Sequence, residues 1–148
     1  MSTYTKILVP IDGSDTASRG LEEAIRLAKD QGAHLRLLYV LSDAHVSAPL
    51  LGVVDTGELL ARIRNDAQAI LDKGRAAAAA AGVVAQTALV EWYTAHIGEA
   101  VIDDAEKSGI DLIVMGTHGR RGFARAVLGS AAEYVARHTR IPLLLLRS

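Results

Sequence analysis

Five short apolar runs punctuate the chain, and the segments between them repeat hydrophobic residues every three or four positions. Ile7-Leu-Val-Pro-Ile11, Leu35 to Val40, Val83 to Val90, Leu112-Ile-Val-Met115 and Leu143-Leu-Leu-Leu146 read as strands. The unbroken apolar character of the first suits a buried strand. The third run interleaves Gln86 and Thr87 and suits a sheet edge. Between the runs, Ala17, Leu21, Ala24, Ile25 and Ala28 mark one helix, and Leu59, Ile63, Ala67, Ile70 and Leu71 a second. Ile97, Val101, Ile102 and Ala105 mark a third, and Ala131 to His138 a fourth.

Punctuation supports these boundaries. Ser14 can cap the first helix and Thr94 the third, while Asp55 with Glu58, and Ser130 with Glu133, have capping-box spacing. Gly32, Gly82 and Gly109 stand where helices end. The alanine run 76–81 needs no special reading, because alanine is the best helix former. The alternation β-α-β-α-β-α-β-α-β then predicts an α/β fold: an open five-stranded parallel sheet with helices on both faces, in one domain over residues 1–148. Ligands of such sheets bind beyond the carboxyl ends of the strands, where the strand order reverses. Asp12 after strand one and the glycines after strand four lie at such ends, so strands one and four should be neighbours, giving the order 3-2-1-4-5. The last strand is then an edge, and Leu143, Leu144, Leu145 and Leu146 are too apolar to leave in water, which predicts a homodimer through that strand.

Composition narrows the function classes. The 148 residues are half hydrophobic but only 4% aromatic, so the core is aliphatic. A formal net charge of −1 gives no overall attraction to nucleic acid or to a membrane surface. There are no cysteines, hence neither disulfides nor thiolate metal sites, and no histidine pair has metal-ligand spacing. No apolar run reaches the ~20 residues of a spanning helix, and the N-terminus lacks the regions of a signal peptide. A cytoplasmic protein is expected.

The candidate chemistry sits after strand four. Gly116-Thr-His-Gly119-Arg-Arg-Gly-Phe-Ala-Arg-Ala-Val-Leu-Gly129-Ser130 carries three arginines, and no acidic residue occurs between Leu112 and Ala132. Strand, glycine-rich loop and helix start bring unpaired N–H groups and a positive helix end to one place, which suits phosphate. The competing reading makes Ser130 a helix cap and the glycines turn residues, and Glu133 agrees with that reading. His118 could touch phosphate but is expected to face solvent. Neither a Gly-x4-Gly-Lys-Ser/Thr loop nor a Gly-x-Gly-x-x-Gly after strand one occurs.

The spacing Gly116-x2-Gly119-x9-Gly129-Ser130 resembles the ATP-binding motif of the universal stress protein family. The likeness extends to Ile7-Leu-Val-Pro-Ile-Asp12 and to the closing Ile141-Pro-Leu-Leu-Leu-Leu-Arg147. The resemblance implies a five-stranded parallel α/β domain, dimerising through its last strand, with ATP as ligand, and Mg2+ is expected to accompany the phosphates. Position by position it implies Pro10 and Asp12 beside the adenosine, with Asp12 on a ribose hydroxyl. The backbone of Val40 would meet the adenine edge, and Met115 and Gly116 would flank the ribose. His118 lies within the motif, while Gly119, Arg120, Gly129, Ser130 and the N–H of Ala131 would hold the phosphates.

One stretch departs from the family pattern. Where a glycine and then a small or proline residue are usual, the chain has Glu91-Trp-Tyr-Thr-Ala95, whose aromatics are expected to be buried against the adjoining helix. The reading is an ATP-binding protein acting through its nucleotide-bound dimer, with at most weak hydrolysis: no loop lysine, evident water-activating base or dedicated carboxylate pair is present. The alternatives are a slow ATPase using His118 or Asp12, and a protein-interaction module independent of nucleotide.

Overall fold

A computed structural model describes residues 2–42, 56–93, 96–117 and 128–147. The elements run β1 (Lys6–Pro10), α1 (Asp15–Gln31), β2 (His34–Leu41), α2 (Thr56–Ala80), β3 (Ala85–Glu91), α3 (Ile97–Lys107), β4 (Leu112–Gly116), α4 (Ser130–His138) and β5 (Leu143–Leu146). The five strands form one parallel sheet in the order β3-β2-β1-β4-β5, as the placement of Asp12 and the glycine loop required.

Two apolar layers flank the sheet, and strand alternation sorts side chains between them. Ile7, Val9, Leu35, Leu37 and Leu41 join Ala24 and Ala28 of α1 and Ala67, Leu71 and Ala78 of α2. Leu8, Leu38, Val40, Ile113 and Met115 turn the other way, to Ala100, Val101 and Ala105 of α3 and to Ala132 and Val135 of α4. Only Ala78 of the alanine run 76–81 is buried, so the run serves helix formation more than packing. No helix among the described residues is long and apolar enough to cross a membrane.

Both edges match the pattern, with one adjustment. β3 lies at one edge and β5 at the other. Leu143 and Leu145 turn into the α3–α4 layer, which leaves Leu144, 36% exposed, as the leucine that most lacks cover.

A charged pair ties α3 to the sheet beneath the strand ends. Arg36 of β2 donates to Asp104 of α3 from Nε (2.7 Å) and from Nη2 (2.9 Å). The fork geometry and partial burial make this a strong interaction. The hydrogen-bonded Asp104 carboxylate holds the Arg36 guanidinium above its ordinary value, outweighing the opposite effect of burial.

α3 and α4 meet where Gly98 leaves room: a Cβ there would sit 2.8 Å from Tyr134 Cβ. The Tyr134 ring lies between two histidines, stacked on His96 at 4.9 Å and on His138 at 4.1 Å.

The helix caps correct two expectations. Ser14 caps α1 as predicted, its side chain accepting from Ala17 N–H. For α3 the N-cap is His96, whose Nδ1 accepts from Gly98 N–H at 3.1 Å. Thr94, the predicted cap, lies outside the described residues, as does Asp55. His96 Nδ1 lies one bond farther from the backbone than a serine or threonine hydroxyl oxygen, and its ring stacks on Tyr134 beside the helix start. At α4 the N-cap is Gly129, so Ser130 is the first helical residue and no side-chain cap is present among the described residues. The Ser130–Glu133 capping box is not formed, and Glu133 instead pairs with Arg137 at 3.0 Å, one turn along the helix.

Candidate functional site

The strand ends open a crevice because two hydrogen-bond ladders stop there. In the parallel sheet, alternate residues of a strand address opposite neighbours. Ile113 N–H goes to Pro142 on the β5 side, so Val114 and Gly116 address β1. β1 and β4 pair only through Ile7 with Leu112 and Leu8 with Ile113. The next rung would need an N–H from Pro10, which proline lacks. Pro10 therefore ends the contact between the two central strands.

The second ladder stops one strand over. On β2, Leu35 N–H and Leu41 C=O address β3, through Val84 C=O (2.9 Å) and Trp92 N–H (2.8 Å). Leu38 C=O addresses β1, accepting from Ile11 N–H at 2.8 Å, and alternation places Val40 on the same side. β1–β2 pairing ends at Pro10 opposite Leu38, so the rung from Val40 N–H to Ile11 C=O is not made. The buried Val40 thus turns a backbone donor and acceptor toward the gap between β2 and the end of β1.

Asp12 and Gly13 carry the chain out of β1 across this gap. Asp12 is half-buried, and its Oδ1 accepts from Ser14 N–H at 2.9 Å. Gly13 takes φ +82°, a turn that favours glycine. Across the crevice, Met115 is buried and Gly116 half-buried at the end of β4. Gly116 has a packing reason to be glycine: a Cβ would lie 3.0 Å from Thr16 C=O and closer still to Thr16 Cγ2. The start of α1 therefore rests directly on the end of β4. The sequence suggested a tight turn and close approach to a ligand for this glycine, and nothing in the sequence marked Thr16 as its neighbour.

The glycine loop closes on itself at its base. Gly129 N–H donates to Thr117 C=O at 2.6 Å, drawing the loop's two ends together. That bond commits the Gly129 N–H and removes it from the donors open to a ligand. Gly129 has φ −60° and ψ 150°, available to any residue, so a left-handed turn does not explain it. Glu133 N–H to Gly129 C=O (2.9 Å) is the first bond of α4. The preceding N–H groups of Ser130, Ala131 and Ala132 are the helix-start donors that no intrahelical carbonyl reaches. Ser130 is exposed and Ala131 half-buried. With Glu133 directed to Arg137, the carboxylate that disfavoured an anion site is drawn away along the helix.

The predicted residues thus fall into groups. Pro10, Asp12, Val40, Met115 and Gly116 lie around the crevice at the carboxyl ends of β1, β2 and β4, while Gly129, Ser130 and Ala131 form the start of α4, joined to β4 through Thr117. His118, Gly119 and Arg120 lie outside the described residues. Among the described residues no group of three or more His, Asp or Glu could hold a metal ion. Trp92 is half-buried against the α3–α4 layer, as expected for that loop, but Tyr93 is 40% exposed and hydrogen-bonds Glu91 at 3.2 Å.

Comparison with known proteins agrees with this architecture. The family model described as the universal stress protein family matches residues 3–147. Universal stress protein YxiE of Bacillus subtilis is 35% identical over 150 residues, covering 97% of this chain and 99% of its own. A universal stress protein family structure from Burkholderia pseudomallei superposes with a TM-score of 0.80 at 34% identity, covering 100% of this chain and 99% of that one. A universal stress protein solved in complex with cAMP gives a TM-score of 0.70 at 25% identity, covering 99% of this chain and 98% of that one. With its strand order, its crevice and its open helix start already in place, the chain belongs to the universal stress protein family.

Proposed function

We propose that the protein binds ATP across the β1–β4 crevice and acts in a cytoplasmic stress response through its nucleotide-bound form. The observation that carries this reading is the start of α4. It is a helix N-terminus without a side-chain cap or a competing carboxylate among the described residues, at the carboxyl edge of the sheet beside the gap that Pro10 opens. Such a terminus favours phosphate through its free N–H groups and its dipole. The relative solved with cAMP supports an adenine nucleotide as the ligand class.

In this reading Val40 N–H and C=O pair with the adenine edge, and Pro10 and Met115 line the adenosine. Asp12 takes a ribose hydroxyl beside its existing bond to Ser14, and Gly116 lets the sugar approach β4. Ser130 Oγ and the N–H groups of Ser130 and Ala131 hold phosphate oxygens, and His118, Gly119 and Arg120 of the motif are further phosphate contacts. Mg2+ would arrive on the phosphates, since that ion commonly keeps its waters and takes few protein ligands. Two copies would pair through β5, burying Leu144 and completing the edge formed by Leu143 to Leu146.

The test has two steps. Purified protein is denatured and any released nucleotide identified by mass spectrometry, then stripped protein is titrated with ATP. Stoichiometric ATP or ADP, or tight rebinding, is expected; protein that is empty and ignores added ATP overturns the reading. Sedimentation of Leu144→Glu against wild type tests the dimer, and an unchanged dimer would remove β5 as its interface.

A further inference from the structure

Trp92 is the only tryptophan of the chain, and its Nε1 is the one buried side-chain nitrogen or oxygen without a hydrogen-bond partner among the described residues. A buried indole N–H normally reaches an acceptor, because it has lost water and gains nothing in return. The ring's apolar surface accounts for its packing against the α3–α4 layer, with Leu38, Val40 and Met115 in the same layer. It does not account for the stranded N–H, which a phenylalanine would avoid.

The position of Trp92 points to the missing acceptor. Its own backbone N–H is fixed on Leu41 C=O at 2.8 Å, one residue past the end of β3. It therefore stands at the carboxyl edge of the sheet beside β2, whose next-to-last residue, Val40, turns its unpaired N–H toward the crevice. This is the base end of the proposed site; the phosphate donors lie at α4, beyond β1 and β4.

We infer that the bound ligand completes the Trp92 indole N–H, with a ring nitrogen of a purine as acceptor. The inference rests on the nucleotide reading above and adds a side-chain determinant of base recognition to the Val40 backbone. Purine ring nitrogens are uncharged acceptors suited to a buried donor, whereas a phosphate oxygen would bring its charge into the apolar layer.

A single tryptophan gives a single indole cross-peak in a 15N-labelled sample, so wild-type protein reports on the bond directly. Saturating ATP is expected to move that peak downfield, while inorganic tripolyphosphate leaves it in place. Trp92→Phe, which keeps the ring and removes the donor, is expected to weaken ATP binding about fivefold by calorimetry. Its tripolyphosphate affinity should not change. ATP that binds wild type without moving the indole peak, or binds Trp92→Phe equally well, overturns the inference and leaves the nucleotide reading standing. Failure of wild type to bind ATP removes both.

Discussion

α1 and α4 both begin at the carboxyl edge of the sheet, next to the crevice, yet their first turns are completed in opposite ways. α1 satisfies its own start: Asp12 Oδ1 takes Ser14 N–H, and Ser14 Oγ takes Ala17 N–H at 3.2 Å. α4 starts at a glycine with no side chain to offer, and its nearest carboxylate is turned to Arg137. α3 resembles α1, using His96 Nδ1 as its cap. Of the described N-caps, the one after the glycine loop alone lacks a side-chain acceptor. A helix start costs stability when its donors go unmet, so leaving one open beside a crevice is the arrangement that an incoming anion would complete.

The largest effect should come from making α4 resemble α1. Gly129→Asp fits the local φ and ψ, supplies the missing cap and places a negative charge where phosphates are proposed. We expect apo stability to hold or rise by a few tenths of a kcal/mol, and ATP affinity to fall by at least about 100-fold. Thermal melts and calorimetry check both halves; retained affinity would show that the open start is not the anion site.

Next is the seat of α1 on β4. Gly116→Ala pushes a Cβ against Thr16 and should cost about 1–3 kcal/mol in chemical denaturation. Adding Thr16→Ser removes Cγ2 but not the Thr16 carbonyl, so it should restore part of the loss. No recovery would mean that the backbone contact dominates.

A smaller change tests the capped helix. Ser14→Ala removes the α1 cap and should cost about 1 kcal/mol while leaving ATP affinity unchanged. Lost affinity here would mean that the two helix starts act as one site.

The smallest effect lies away from both. Arg64 Nη2 pairs with Glu91 at 2.7 Å on the exposed edge of β3 and holds its carboxyl below the usual value. A carboxyl lowered in the folded state stabilises above its unfolded value and loses that contribution as pH falls through the folded one. The melting difference between wild type and Arg64→Ala should therefore be slight at neutral pH and vanish in acid. A difference that grows in acid would contradict the assignment.

The frame and the fuller site were legible to different degrees. Continuous apolar runs and helical spacing gave element types and order, since periodicity is local and needs no partner. The strand order followed from requiring Asp12 and the glycine loop to meet, and the sheet obeys it. The caps were less legible. Ser130-x-x-Glu133 has ideal capping-box spacing, but Gly129, held to Thr117 C=O, starts the helix one residue earlier. His96 gave no signal as a cap, because its place over α3 depends on Tyr134 of another helix.

Sequence alone determined the strands, the helices, their alternation and the presence of a glycine-rich loop at a switch point, all consequences of local pattern and chain handedness. It also contained the proline that ends the β1–β4 ladder, though the effect of a missing N–H can be known only once its neighbour is known. Tertiary structure decided which donors remain open. Val40 N–H is unpaired because β1 stops short, α4 is uncapped because Thr117 holds Gly129, and Gly116 must be glycine because Thr16 sits on it. Each is a relation between residues far apart in the chain, which spacing along one strand or helix does not encode.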